Sequence, residues 1–188
     1  MALTESRSLS LNTTAPGFSL PDTRTGTRVS LDDFAGKQAL LVAFLCNHCP
    51  YVKHIANELG RFSREYTEKG LAMVGISAND VQGYPADHPD RMKEEAEARG
   101  YAFPYLYDES QDVAKAYGAA CTPDFFLFDA DRKLVYHGQF DGTRPGGGPV
   151  TGIDLRAATD LVLAGERPHA EQTPSVGCSI KWKPGKAP

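Results

Sequence analysis

The chain reads as an α/β domain, a central mixed β-sheet flanked by helices. Three stretches carry that reading. Ala39 to Leu45 is an unbroken apolar run, as in a strand buried on both faces. Val52, Ile55, Ala56, Leu59, Phe62 and Tyr66 then recur at spacings of three and four, one face of a helix that stops near Gly70. Leu71 to Ile76 is a second apolar strand. Strand, helix, strand in that order predicts a right-handed parallel crossover. Sites in such sheets lie beyond the carboxyl ends of the strands.

The other elements follow in order. Residues 1–14 are polar, rich in Ser and Thr, and read as a flexible N-terminal arm. The ordered domain is expected over 15–165. Phe18 and Leu20 alternate with Ser19, turns follow at Pro21-Asp22 and Thr25-Gly26, and Arg28-Val29 resumes an extended run. That is an N-terminal β-hairpin extension. Ser30 to Phe34 reads as a Ser-capped helical turn ending at Gly36. Residues 81–89 form a loop of Gly, Pro and Asp, and Asp90 is expected to cap a polar helix from Arg91 to Arg99. Its charges are those of a solvated face. Phe103 to Tyr107 reads as a short strand carrying Pro104, and Gln111 to Tyr117 as a short helix closed by Gly118. Phe125 to Phe128 and Leu134 to Phe140 form an antiparallel hairpin around the turn Asp129 to Arg132. The Gly-rich loop 145–152 lacks the Gly-Lys-Ser/Thr ending of a phosphate loop. Ile153 to Leu163 is an amphipathic helix, and residues 166–188 are a tail expected to pack on the domain.

The chemistry concentrates at Cys46-Asn47-His48-Cys49-Pro50, where the first strand gives way to the helix. Pro50 suits a first helical turn. The unpaired N–H groups and partial positive charge of a helix start favour thiolate over thiol. Cysteines so placed reach pKa values of roughly 3.5–7.5, against about 8.5 unperturbed. Cys46 is expected at the tip as the exposed nucleophile and Cys49 one turn in as the resolving thiol. His48, when protonated, and Asn47 are the expected tuning neighbours. Asn79, at the end of the second strand, should reach the same edge as Cys46, and Asn79 and Asp80 read as polar supports of the site or, more simply, as loop formers. A zinc half-site would need a second ligand pair, and Cys121 and Cys178 are lone cysteines, so no metal is expected. A haem attachment site needs His directly after the second cysteine, where Pro50 stands.

Thr122-Pro123 precedes a strong strand and, in this topology, should face the end of the motif helix. In a dithiol enzyme the residue before such a proline binds substrate backbone by strand-like hydrogen bonds. A cis Thr122–Pro123 bond abutting Cys46 is therefore predicted, with both residues as the substrate-binding pair. Cys178, in the tail, is a possible third redox thiol. Cys121 reads as a small core residue.

The chain has 188 residues, a formal net charge of −4 and 41% apolar residues. One domain is expected. Weak acidity with only short basic runs leaves no electrostatic footprint for nucleic acid. No apolar run reaches the ~18 residues of a membrane span, and the start lacks an apolar signal core. A cytoplasmic protein is the expectation, and there an intracellular Cys-x-x-Cys is more often catalytic than structural.

The order of elements over residues 15–165 resembles the thioredoxin-like fold with an N-terminal extension. Cys46-Asn47-His48-Cys49-Pro50-Tyr51-Val52, with Gly177-Cys178-Ser179-Ile180-Lys181-Trp182-Lys183, resembles the peroxiredoxin-like (AhpC/TSA-type) branch of that superfamily. The resemblance implies a thiol–disulfide oxidoreductase in which Cys46 attacks, Cys49 resolves and Pro123 is cis. It implies no cofactor beyond the Cys46–Cys49 disulfide. Its partners would be disulfide-containing proteins or small thiol substrates and a separate reductase or thiol donor. Peroxidase and metal-binding chaperone are the alternatives. Thioredoxins carry Trp before the first cysteine and Gly-Pro within the pair, where this chain has Leu45 and Asn47-His48. The strand before Cys46 has no acid, so another group or water must take the proton. Peroxiredoxins carry Thr three residues before their reactive cysteine and Pro four before that, where this chain has Ala43 and Ala39.

Overall fold

The computed structural model describes residues 3–7 and 9–188; Met1, Ala2 and Ser8, part of the expected arm over 1–14, lie outside the described residues. In chain order the elements are β1 (Leu3–Glu5), β2 (Ser19–Pro21), β3 (Arg28–Ser30), β4 (Ala39–Phe44), α1 (Pro50–Glu68), β5 (Leu71–Ser77), α2 (Pro89–Arg99), β6 (Tyr105–Tyr107), α3 (Asp112–Ala116), β7 (Cys121–Thr122), β8 (Asp124–Phe128), β9 (Leu134–Gly138), α4 (Ile153–Leu163) and β10 (Val176–Ser179).

The central sheet has the order β6-β5-β4-β8-β9. β4, β5 and β6 run parallel, and β8 is antiparallel to both β4 and β9. β4 is buried throughout because both faces are covered. Leu41, Ala43 and Leu45 pack with Ile55, Leu59 and Phe62 of α1. Leu40, Val42 and Phe44 pack on the opposite side with Tyr117 and Phe126. Each fully buried side chain of this kind contributes about 1.5–3 kcal/mol. That energy fixes where β4 ends, and so where the motif loop begins.

Several expectations shift. The arm is not loose throughout. Leu3–Glu5 pair antiparallel with Val176–Cys178, and Leu9 and Leu11 pack against the core. The tail is itself a strand, because β10 pairs with β1 on one side and β7 on the other. Helix α2 is capped by His88, whose ring accepts from the Asp90 N–H, and not by Asp90. Among the described residues no helix is long and apolar enough to cross a membrane.

Candidate active site

β4 ends at Phe44 and α1 begins at Pro50, so Cys46 and Cys49 both lie on the connecting loop. Pro50 takes the first helical position and Cys49 is the N-cap. The expected placement is therefore corrected: Cys49, not Cys46, stands at the helix terminus. Cys46 is not exposed either. It is 1% accessible and Cys49 0%. Two segments distant in sequence close over the motif, the loop 79–88 and the pair β7–β10.

The loop 79–88 contributes Asp87, the functional residue that the sequence did not reveal. Its carboxylate is fully buried. One oxygen accepts the backbone N–H groups of Asn47 (2.7 Å) and His48 (3.1 Å). The other is bonded to His48 Nδ1 (2.6 Å) and to Asn79 Nδ2 (2.8 Å). Burial alone raises a carboxyl pKa, but the bonds from His48, Asn79 and Asn47 outweigh it and hold Asp87 below its ordinary value. Asn47 Nδ2 also donates to Ala86 O at 2.9 Å, and the His48 ring stacks on Tyr84 with centroids 4.9 Å apart. Asn47 and His48 thus hold the loop in shape. Asn79 spans from Asp87 to the Lys181 N–H, whereas Asp80 bonds only within its own loop and to the tail backbone.

Thr122 is the second organiser. The Thr122–Pro123 peptide bond is cis. Its hydroxyl lies 3.2 Å from Cys46 Sγ, and its carbonyl oxygen 3.2 Å from Cys49 Sγ. Across the strand pair stands Cys178, with Sγ 2.7 Å from Cys49 Sγ. This contact needs a close approach of backbones, and Gly177 permits it: a Cβ there would stand 2.0 Å from Thr122 O.

All four cysteines are buried and reduced. The resting negative charge belongs to Cys49. Hydrogen bonds from Cys46 and Cys178, with the Val52 amide at the helix start, outweigh burial and bring its pKa to about 5. Cys46 is raised, because it donates to Cys49, is desolvated and faces the Asp87 carboxylate. The Thr122 hydroxyl opposes that rise. Cys178 is pushed up to about 12 by burial and by the Cys49 thiolate. Burial also raises Cys121, whose buried thiol points to the Pro123 and Ser175 carbonyls.

The Thr122 backbone departs from expectation. Ile180 N–H donates to Ala120 O at 3.1 Å. Alternation in an antiparallel pair then points the backbone groups of Thr122 at β10 too. The strand edge expected to bind substrate is occupied by the tail. Pro123 instead forms one wall of a small cleft with Tyr51, His54, Ile55, Ser175 and Val176. One ligand atom from each of Cys46, His48 and Asp87 lies within 4.8 Å of the others. Both Asp87 oxygens are occupied by N–H donors, so a cation would have to displace one of them.

A parallel crossover carrying paired cysteines, faced by a proline-led hairpin, defines a thioredoxin-like redox protein. Residues 11–137 match the AhpC/TSA family, and the chain belongs to that family. It is 54% identical to a hypothetical protein of Sinorhizobium meliloti 1021 of known crystal structure, with a TM-score of 0.94 over 97% of this chain and 100% of that one. It is 25% identical to the thioredoxin domain of a thiol-disulfide oxidoreductase of Bacteroides vulgatus, with a TM-score of 0.57 over 69% of this chain and 89% of that domain. A Mycobacterium tuberculosis (strain CDC 1551 / Oshkosh) protein provisionally named a peroxiredoxin is 30% identical over 117 residues, 62% of this chain and 69% of its own length.

Proposed function

We propose that the protein is a thiol–disulfide oxidoreductase that carries two electrons on the Cys46–Cys49 pair without a bound cofactor. The placement of Cys49 carries this reading: it is the N-cap residue of α1, and its sulfur takes a hydrogen bond from Cys46 and titrates at about 5, so it is anionic at neutral pH. Reduction begins when Cys46 passes its proton to the Cys49 thiolate. The Cys46 thiolate, steadied by the Thr122 hydroxyl, attacks a substrate disulfide, and one substrate sulfur leaves as thiolate. That leaving group takes the proton from Cys49. Cys49 then attacks the Cys46 sulfur, releases the second substrate thiolate and closes the 46–49 disulfide. Asn47 and His48, held by Asp87, keep the loop shaped for these exchanges. Pro123, beside Thr122 at the motif, is the proposed substrate contact.

The substrates are disulfide-bearing proteins or small disulfides, and an external thiol donor recycles the pair. The proposed compartment is the cytoplasm, where glutathione and thioredoxin systems supply such donors. Reduction of a chromogenic aromatic disulfide and of a protein disulfide, compared for wild type, Cys46→Ser and Cys49→Ser, tests the reading. Loss of turnover in both variants, with peroxide consumption slow beside disulfide reduction, is expected. Undiminished turnover in Cys46→Ser overturns it, and faster peroxide than disulfide turnover makes the protein a peroxidase.

A further inference from the structure

β10 lies along the strand edge where a substrate segment would sit, and it presents a cysteine. Cys178 is directly opposite Thr122 in register. Its sulfur is 2.7 Å from Cys49 Sγ, closer than non-bonded carbon atoms pack, about 3.5–4.0 Å. Gly177 lets this strand press onto the Thr122 carbonyl, where any side chain would collide. Cys49 is the sulfur that contacts both of the others, Cys46 and Cys178. The three sulfurs do not make a mutually close ligand set: among the described residues the set of three ligand atoms within 4.8 Å is Cys46, His48 and Asp87.

We infer that β10 is an internal substrate strand and Cys178 a third redox thiol, which takes the oxidation from the Cys46–Cys49 disulfide and leaves Cys46 reduced. This rests on the dithiol chemistry proposed above. The Cys178 thiolate attacks Cys49 Sγ. The Cys49–Cys178 bond forms and the Cys46–Cys49 bond breaks. The electron pair leaves on Cys46, which takes up the proton that Cys178 gave up. The exchange is an isomerisation of one disulfide, so it needs no oxidant or reductant. A low-molecular-weight thiol or a dithiol protein then reduces the 49–178 bridge.

The electrostatics time the step. Burial and the Cys49 thiolate hold the Cys178 thiol up, while Lys181 opposes them. The Lys181 ammonium is fixed close by on Ser179 O and Oγ at 2.8 and 3.1 Å. Once Cys49 is in a disulfide, its negative charge is gone and Lys181 faces burial alone. Cys178 is therefore a poor nucleophile in the reduced protein and a better one after turnover.

The test is disulfide mapping of the full chain after one turnover with a small disulfide, quenched in acid, alkylated and digested with trypsin. Cys46 and Cys49 share one tryptic peptide, since no Lys or Arg separates them, and Cys178 lies on another. A cross-link between the two peptides with Cys46 alkylated is the expected result. A bridge confined to the Cys46–Cys49 peptide, in a wild type that turns over, overturns the inference and leaves the dithiol reading intact. Oxidised Cys46→Ser gives a second check. Loss of two titratable thiols through a 49–178 bridge supports the inference, and retention of both thiols overturns it. Turnover that survives in both Cys46→Ser and Cys49→Ser would instead remove the dithiol reading itself.

Discussion

Replacing Asp87 by Asn tests how the motif loop is held. The side chain keeps its size and one carbonyl oxygen, which can still accept the Asn47 and His48 amides. The other oxygen becomes an NH2 group facing His48 Nδ1 and Asn79 Nδ2, which now hold donors against a donor. Hydrogen bonds to a charged acceptor contribute about 1.5–3 kcal/mol each. Two are lost, and the His48 ring can recover part by changing tautomer, so the cost should be about 3 kcal/mol. In a domain of this size each kcal/mol moves Tm by about 2–4 °C, which gives a fall of roughly 6–12 °C at neutral pH. The pH dependence follows from the depressed carboxyl. Its folded pKa lies below the ordinary 3.8, so its stabilisation is present above 3.8 and is lost as pH falls through the folded value. The gap between wild type and variant should hold at neutral pH and close in acid. Removing the negative charge also takes away one cause of the raised Cys46 thiol, so Cys46 should alkylate faster at a given pH. Thermal unfolding down the acid limb, with timed alkylation of Cys46, measures both effects. Equal Tm at neutral pH, or a gap that widens on acidification, would refute the account.

Ultraviolet thiolate absorbance of the reduced protein should show one cysteine titrating near pH 5. Cys46→Ala should move that midpoint upward, because it removes the Cys46 hydrogen bond to Cys49, the largest stabiliser of its thiolate; an unmoved midpoint contradicts the hydrogen-bond origin. Gly177→Ala places a Cβ 2.0 Å from Thr122 O and should cost about 1–3 kcal/mol as an overpacked contact. It should also loosen β10, seen as faster alkylation of Cys178 in the native protein, and unchanged protection of Cys178 would show that the strand does not depend on this approach.

What the sequence determined by itself was local. The apolar run of β4, the three-and-four spacing in α1 and the stretch Ile153 to Leu163 mark elements because burial repeats with the geometry of each. The thioredoxin-like order and the cysteine pair could be read from the same signals. Tertiary structure decided the rest. Asp87 reaches the motif across 39 and 40 residues, and Cys178 reaches Cys49 across 129. A carboxylate in a Gly- and Pro-rich loop, or a cysteine in a tail, has no periodicity to betray where it docks. The burial of Cys46 and the resting charge on Cys49 follow from those long-range contacts, because a sulfur's pKa depends on the donors, charges and solvent that folding brings to it. The sequence names the two sulfurs of the motif; the packing of distant segments around them sets which is the anion and which third sulfur stands within reach.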